Sequence, residues 1–134
     1  MNEEALRRYW SIYTDAWKLL KNYQIVTAEK VAHLIEIHSD MVIAASVFDL
    51  VWSEIQKLQA SSEVTDISGY QNMFTDAWRV FKAYCEPNDT EDYWDNLSDT
   101  IIKAREKYEY TDFVIKLFYC VTLGEIERLS KMEV

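Results

Sequence analysis

Glycine, proline, cysteine and histidine are all scarce in this 134-residue sequence, with two, one, two and two copies. So few Gly and Pro leave few places for tight turns or left-handed backbone, which argues for helices joined by short loops. Cys85 and Cys120 stand alone, without CxxC or CxxH spacing. That gives no support for a zinc site and fits a reducing compartment, and both read as small apolar core residues. Two histidines are a thin supply of general bases. The sequence has no Gly-rich phosphate loop, no GxSxG and no HExxH, so nothing points to the chemistry those motifs serve. No signal peptide is visible, because Arg7-Arg8 is followed by an amphipathic segment with Tyr13, Asp15 and Lys18. The most apolar run, Met41 to Trp52, is broken by Asp49 and too short to cross a bilayer. These features together predict a soluble, cytoplasmic chain with no cofactor and no membrane contact.

The length suits one domain with a real core, residues 1–134, and is too short for two of ordinary size. Its net charge is −9, unevenly spread: residues 1–60 carry six Lys/Arg against eight Asp/Glu, residues 61–134 eight against fifteen. Phosphate-backbone binding needs clustered cations, so direct nucleic-acid binding is disfavoured. A partner with a basic surface is compatible with this charge.

The most informative pattern is a repeat. "YTDAWKLLKNY" at Tyr13 to Tyr23 returns as "FTDAWRVFKAY" at Phe74 to Tyr84, with Thr, Asp, Ala, Trp, Lys and Tyr at identical offsets. "SEIQKL" at Ser53 to Leu58 returns as "GEIERL" at Gly124 to Leu129. The first match has an offset of 61 and the second 71, so the second copy carries about ten extra residues, placed most simply in its loop and fifth helix. Helical periodicity explains recurring apolar spacing, but not a shared Thr-Asp-Ala-Trp. A three-helix unit of some 60 residues buries too little surface to be comfortable alone, which gives two copies a reason to share a core. The expected fold is all-α: about six helices in two related three-helix units, repeat 1 over 3–60, a linker over 60–69 and repeat 2 over 70–131, packed about a pseudo-two-fold axis.

Apolar residues at three- and four-residue steps predict the first helix over Glu3 to Tyr23. Thr27 is the N-cap of a second, with Val31, Leu34, Ile35 and His38 inward. Ser39-Asp40 is placed as the cap of a third, running from Met41 to about Gln59; with no Gly or Pro between them, the second and third could also form one bent rod. "ASSEVTDISG" from Ala60 to Gly69 reads as the linker. Tyr70, Phe74, Trp78, Phe81 and Tyr84 line the fourth helix, which "EPND" stops at Glu86 to Asp89. The fifth starts at a cap among Asn88, Asp89 and Thr90 and buries Trp94, Leu97, Ile101, Ala104 and Tyr108. Thr111 or Asp112 caps the sixth, which ends near Lys131. All five tryptophans fall on inward stripes, with either Tyr9 or Trp10 left exposed at a dimer or partner contact.

Glu29, His33, Glu36 and Asp40 share one helix face and could in principle hold a metal. That face lies opposite Val31, Leu34 and Ile35, so it reads as a solvated charged surface. His38 reads as a satisfied core histidine. The denser cluster is acidic: Glu86, Asp89, Glu91, Asp92, Asp95 and Asp99, with no cation between them. Helix capping and the macrodipole explain part of it, and the spacing is not that of a calcium loop. What remains is a stripe on the fifth helix. Asp89, Glu91, Asp92, Asp95, Asp99 and Glu106 are the candidate partner-binding residues, suited to a basic groove on another protein or to imitating nucleic-acid phosphates.

The stretch "FTDAWRVFKAYCEP…DYWDNL…AREKY…TDFVIKLFYCVTLGEIERLSK" resembles small acidic helical proteins of unknown function from phage and mobile elements of gut Firmicutes. The resemblance covers residues 70–131 and rests on amphipathic positions. It implies a helical fold and a mobile-element setting, and transfers no functional residues. The functional expectation is a non-enzymatic protein–protein interaction module using an acidic helical face. The alternatives are a mobile-element inhibitor that mimics nucleic acid, a metal- or small-ligand-binding bundle enzyme using Glu29, His33 and Glu36, and a structural homodimer.

Overall fold

The computed structural model describes residues 1–61, 66–109 and 111–132. Its first helix, α1 (Glu3–Lys21), opens on Asn2, whose side-chain oxygen accepts a hydrogen bond from the Ala5 amide at 2.8 Å. Glu3 and Glu4 sit in its first turn and Lys18 and Lys21 in its last, each on the side of the helix dipole that favours it. A 3-10 turn (Tyr23–Ile25) leads to α2 (Ala28–Ile37), capped by the Thr27 hydroxyl as the sequence predicts. Then come α3 (Val42–Ala60), α4 (Ser68–Tyr84) and α5 (Glu91–Lys107), the last capped by Thr90. The sixth helix has three parts: an α-helical turn, α6 (Asp112–Ile115), a π-helical segment (Lys116–Leu123) and α7 (Gly124–Met132). There is no strand among the described residues, so the chain is an all-α helical bundle.

α1 packs on α3 and α4, while the π-helical segment lies against α3, α4 and α5. Ile12, Tyr13, Leu20, Phe48, Ile55, Phe81, Leu97, Phe118 and Ile126 meet in one core. α1 and α4 run antiparallel, since the Met1 amino group pairs with Glu86 and the Trp10 and Trp78 rings lie 5.3 Å apart. Gln59 ties the first loop down by donating to the Tyr23 and Val26 carbonyls at 2.8 and 2.9 Å.

The molecule differs from the sequence reading at several points. Helices α2 and α3 are separate, with a turn over 38–41. Ser39-Asp40 is not the cap of α3: Met41 holds that position, without a side-chain hydrogen bond, and Asp40 turns instead to pair with Arg8. Gly69 belongs to the first turn of α4 rather than to the linker, of which residues 62–65 lie outside the described residues. Cys85 is buried, but Cys120 is exposed. Among the tryptophans Trp10 is 46% exposed and the other four are half-buried. Its neighbour Tyr9 is the buried member of that pair because its hydroxyl finds a partner inside.

Candidate functional site

The acidic residues of α5 follow from how that helix starts. Pro87 stops α4 from continuing, and Asn88 accepts a hydrogen bond from the Thr90 amide at 2.9 Å. The Thr90 hydroxyl then accepts from the Tyr93 amide. From this start Leu97 and Ile101 turn inward, and Tyr93 packs its ring on Tyr84 at 5.5 Å and on Trp94 at 4.8 Å. The outward positions are therefore Asp92, Asp95, Asp99 and Glu106. All six candidate residues, Asp89, Glu91, Asp92, Asp95, Asp99 and Glu106, are exposed. Among the described residues, none of their side chains takes a hydrogen bond or ion pair. Lys103, also exposed, falls in the stripe between Asp99 and Glu106, so the uninterrupted acidic stretch runs from Asp89 to Asp99.

Carboxylates elsewhere behave differently. Asp15 meets His38 Nε2 at 2.8 Å, which makes His38 a satisfied, half-buried histidine. Asp76 accepts from Lys107 Nζ at 2.8 Å and from the Tyr108 hydroxyl. Burial pushes the Asp76 carboxyl up, but those two hydrogen bonds outweigh it and leave the group below the ordinary carboxylate range. Glu54 accepts from the Tyr70 hydroxyl at 2.8 Å. Glu86 and Asp40 hold the Met1 amino group and Arg8.

The sequence reading missed a buried carboxylate, Glu125, which is 4% exposed. Its carboxylate accepts from the Tyr9 hydroxyl at 2.6 Å and is held by the Arg128 guanidinium on the next turn. Beside it the Tyr13 and Thr122 hydroxyls lie 2.8 Å apart. Burial pushes the Tyr9 phenol well above its ordinary value, and acceptance by Glu125 adds to this. Both oxygens of Glu125 are engaged, so the group acts as a pin between α1 and α7. The π-helical segment that precedes it is a feature often found at functional sites. Here it presents Val121 and Thr122 to the core together.

Glu29, His33 and Glu36 lie exposed on the outer face of α2. Among the described residues no three His, Cys, Asp or Glu side chains are placed to share a metal ion, and no helix is long and apolar enough to cross a membrane. Among the hollows beside α1, two run along its second half. One, of about 490 Å³, lies between α1 and α2 over Leu19, Val26 and Leu34, with Lys18 and Lys30 at its edge. The other, of about 230 Å³, lies between α1 and α4 and is lined by Trp10, Trp17, Gln71, Phe74, Thr14 and Thr75 among others. The class the fold defines is thus an all-α bundle with an unengaged acidic face. Comparison with protein-family models, with curated proteins and with solved structures finds no match to this chain.

Proposed function

We propose that the protein is a non-enzymatic interaction module that binds a partner protein with a basic surface through the outer face of α5. The observation that carries this reading is the contrast among its carboxylates. Asp15, Asp40, Glu54, Asp76, Glu86 and Glu125 are each committed to a partner within the fold, whereas Asp89, Glu91, Asp92, Asp95 and Asp99 stand exposed and unengaged along one helix start. Like charges so placed repel one another, and a Lys- or Arg-lined groove would relieve that repulsion. Such binding acts through screened Coulomb forces, so it weakens as salt rises.

The test is capture of partners by the tagged protein at low and high salt, with Asp92, Asp95 and Asp99 each replaced by Lys in a parallel preparation. Losing three surface pairs and gaining three repulsions weakens binding on the order of a hundredfold. A partner held by the native protein at low salt, and lost both at high salt and from the reversed protein, supports the proposal. Partners that the reversed protein keeps, or none for either protein, overturn it.

A further inference from the structure

We infer that the chain is a fused pair of equivalent three-helix units, related by a pseudo-two-fold axis crossing α1 and α4 near Thr14 and Thr75. The π-helical segment is the place where the second unit absorbs one extra residue. On this inference each unit's first helix is shaped to receive the other unit, so the internal interface is that of a self-complementary pair.

Three sets of contacts carry it. Residues of α1 and α4 that correspond at an offset of 61 meet across the axis: Trp10 touches Trp78, and their counterparts Gln71 and Trp17 line one hollow. Tyr9 of the first unit donates to Glu125 of the second, and Tyr70 of the second, its counterpart, donates to Glu54 of the first. Glu54 and Glu125 are themselves the matched residues of the SEIQKL and GEIERL repeat. Within each unit, the Asp of the Thr-Asp-Ala-Trp motif holds the residue that ends the second helix: Asp15 holds His38, and Asp76 holds Tyr108. Amphipathic periodicity alone would align apolar positions, but it would not produce exchanged polar pairs.

The spacing between counterparts then changes in steps. It is 61 along α1 and α4, 63 at the caps Thr27 and Thr90, and 70 at the helix ends His38 and Tyr108. The seven residues gained inside α5 equal about two helical turns, so its inward face is preserved. In the third helix the spacing is still 70 for the buried Ile43, Val47 and Phe48 against Phe113, Leu117 and Phe118, but 71 for Ile55 against Ile126. One added residue in an α-helix turns everything after it by about 100°, which would carry Glu125 away from Tyr9. Wider i→i+5 turns take up that residue and restore the facing. The segment between the two spacings is π-helical.

Deleting Cys120, an exposed residue within that segment, therefore restores an ordinary α-helix with Thr122 still opposite Tyr13. Expected is cooperative unfolding with a Tm within about 5 °C of the native protein. Deleting exposed Ser46 from α3, where no such slack exists, abolishes the cooperative transition or lowers Tm by more than about 20 °C. In the Cys120-deleted protein, Tyr9→Phe lowers Tm as much as it does in the native chain, reporting that the Tyr9–Glu125 pair survives. Equal tolerance or equal loss in the two deletions, or a Tyr9→Phe change without effect in the deleted protein, overturns the inference. None of these outcomes depends on the partner proposed for α5.

Discussion

The Tyr9 hydroxyl donates to the Glu125 carboxylate at 2.6 Å across 116 positions of sequence. A second contact of the same kind, Tyr70 to Glu54, has nearly the same length but is only part-buried. A hydrogen bond to a charged acceptor shielded from water contributes more than one water can replace. Tyr9→Phe is therefore expected to cost about 2 kcal/mol and Tyr70→Phe under about 1 kcal/mol. Urea unfolding of the two variants checks this, and the reverse order would contradict the account of Glu125 as a buried pin.

Alkaline pH tests the tyrosines as a group. Burial pushes Tyr93 and Tyr108 up to about 12, helped at Tyr108 by the Asp76 carboxylate. Above pH 10, the ordinary tyrosine value, the unfolded chain releases phenolic protons that the folded chain keeps. The unfolded state then binds fewer protons, so stability falls as pH rises. The contribution is full below pH 10 and is lost as pH climbs through about 12. Unfolding free energies measured across this window should decline, with a shallower slope for the Tyr93→Phe, Tyr108→Phe double variant. An unchanged slope would place these phenols in water.

The two thiols should separate cleanly. Cys85 is buried, with its Sγ 3.4 Å from the Lys82 carbonyl, whereas Cys120 is exposed. One thiol per chain should react rapidly with a disulfide reagent in buffer and two in denaturant. Rapid reaction of both in buffer would mean that the end of α4 opens readily.

Two exchanges involving glycine should both stabilise, in opposite chemical directions. Gly124 has helical backbone angles, and a β-carbon there would meet only the Tyr119 carbonyl at 3.9 Å. Gly124→Ala should add about 0.5–1 kcal/mol by narrowing the unfolded ensemble. Glu109 follows the end of α5 with a φ of 61°, in the left-handed region that favours glycine. Glu109→Gly should add up to about 1 kcal/mol. Denaturant midpoints of the two variants measure both, and a loss at either site would show a packing role for the native residue.

What could be seen in the sequence depended on the kind of signal. The apolar steps of α1, α4 and α5 were plain because one face of each is buried, and the Thr27 cap was plain because a hydroxyl before an apolar stripe has one common use, whereas Thr90 and Thr111 each stood beside other residues equally able to cap. The acidic candidates lie where a polar helix face must lie, at the surface. Ser39-Asp40 misled because capping depends on backbone angles that residue type alone does not fix. Cys120 misled because the π-helical segment changes which residues face inward, and a one-residue drift in an apolar run leaves little periodic trace. Glu125 was hidden by the rule that charges lie outside. Its one trace was the recurrence of Glu-Ile at Glu54 and Glu125 and of Tyr at Tyr9 and Tyr70, a pattern that marks these positions without pairing them.

The closure of α1 against residues so distant in sequence also sets a clock on biosynthesis. A ribosome adds roughly 5–20 residues per second, so the interval between emergence of Tyr9 and of Glu125, 116 positions later, is on the order of ten seconds. For the first part of that interval the aromatic face of α1 also lacks α4, whose Trp78 and Phe81 rings pack on Tyr9, Trp10 and Tyr13 in the finished fold. Until Glu125 arrives, the Tyr9 hydroxyl has water rather than that carboxylate as its hydrogen-bond partner, so the last helix to be made closes the core around the first.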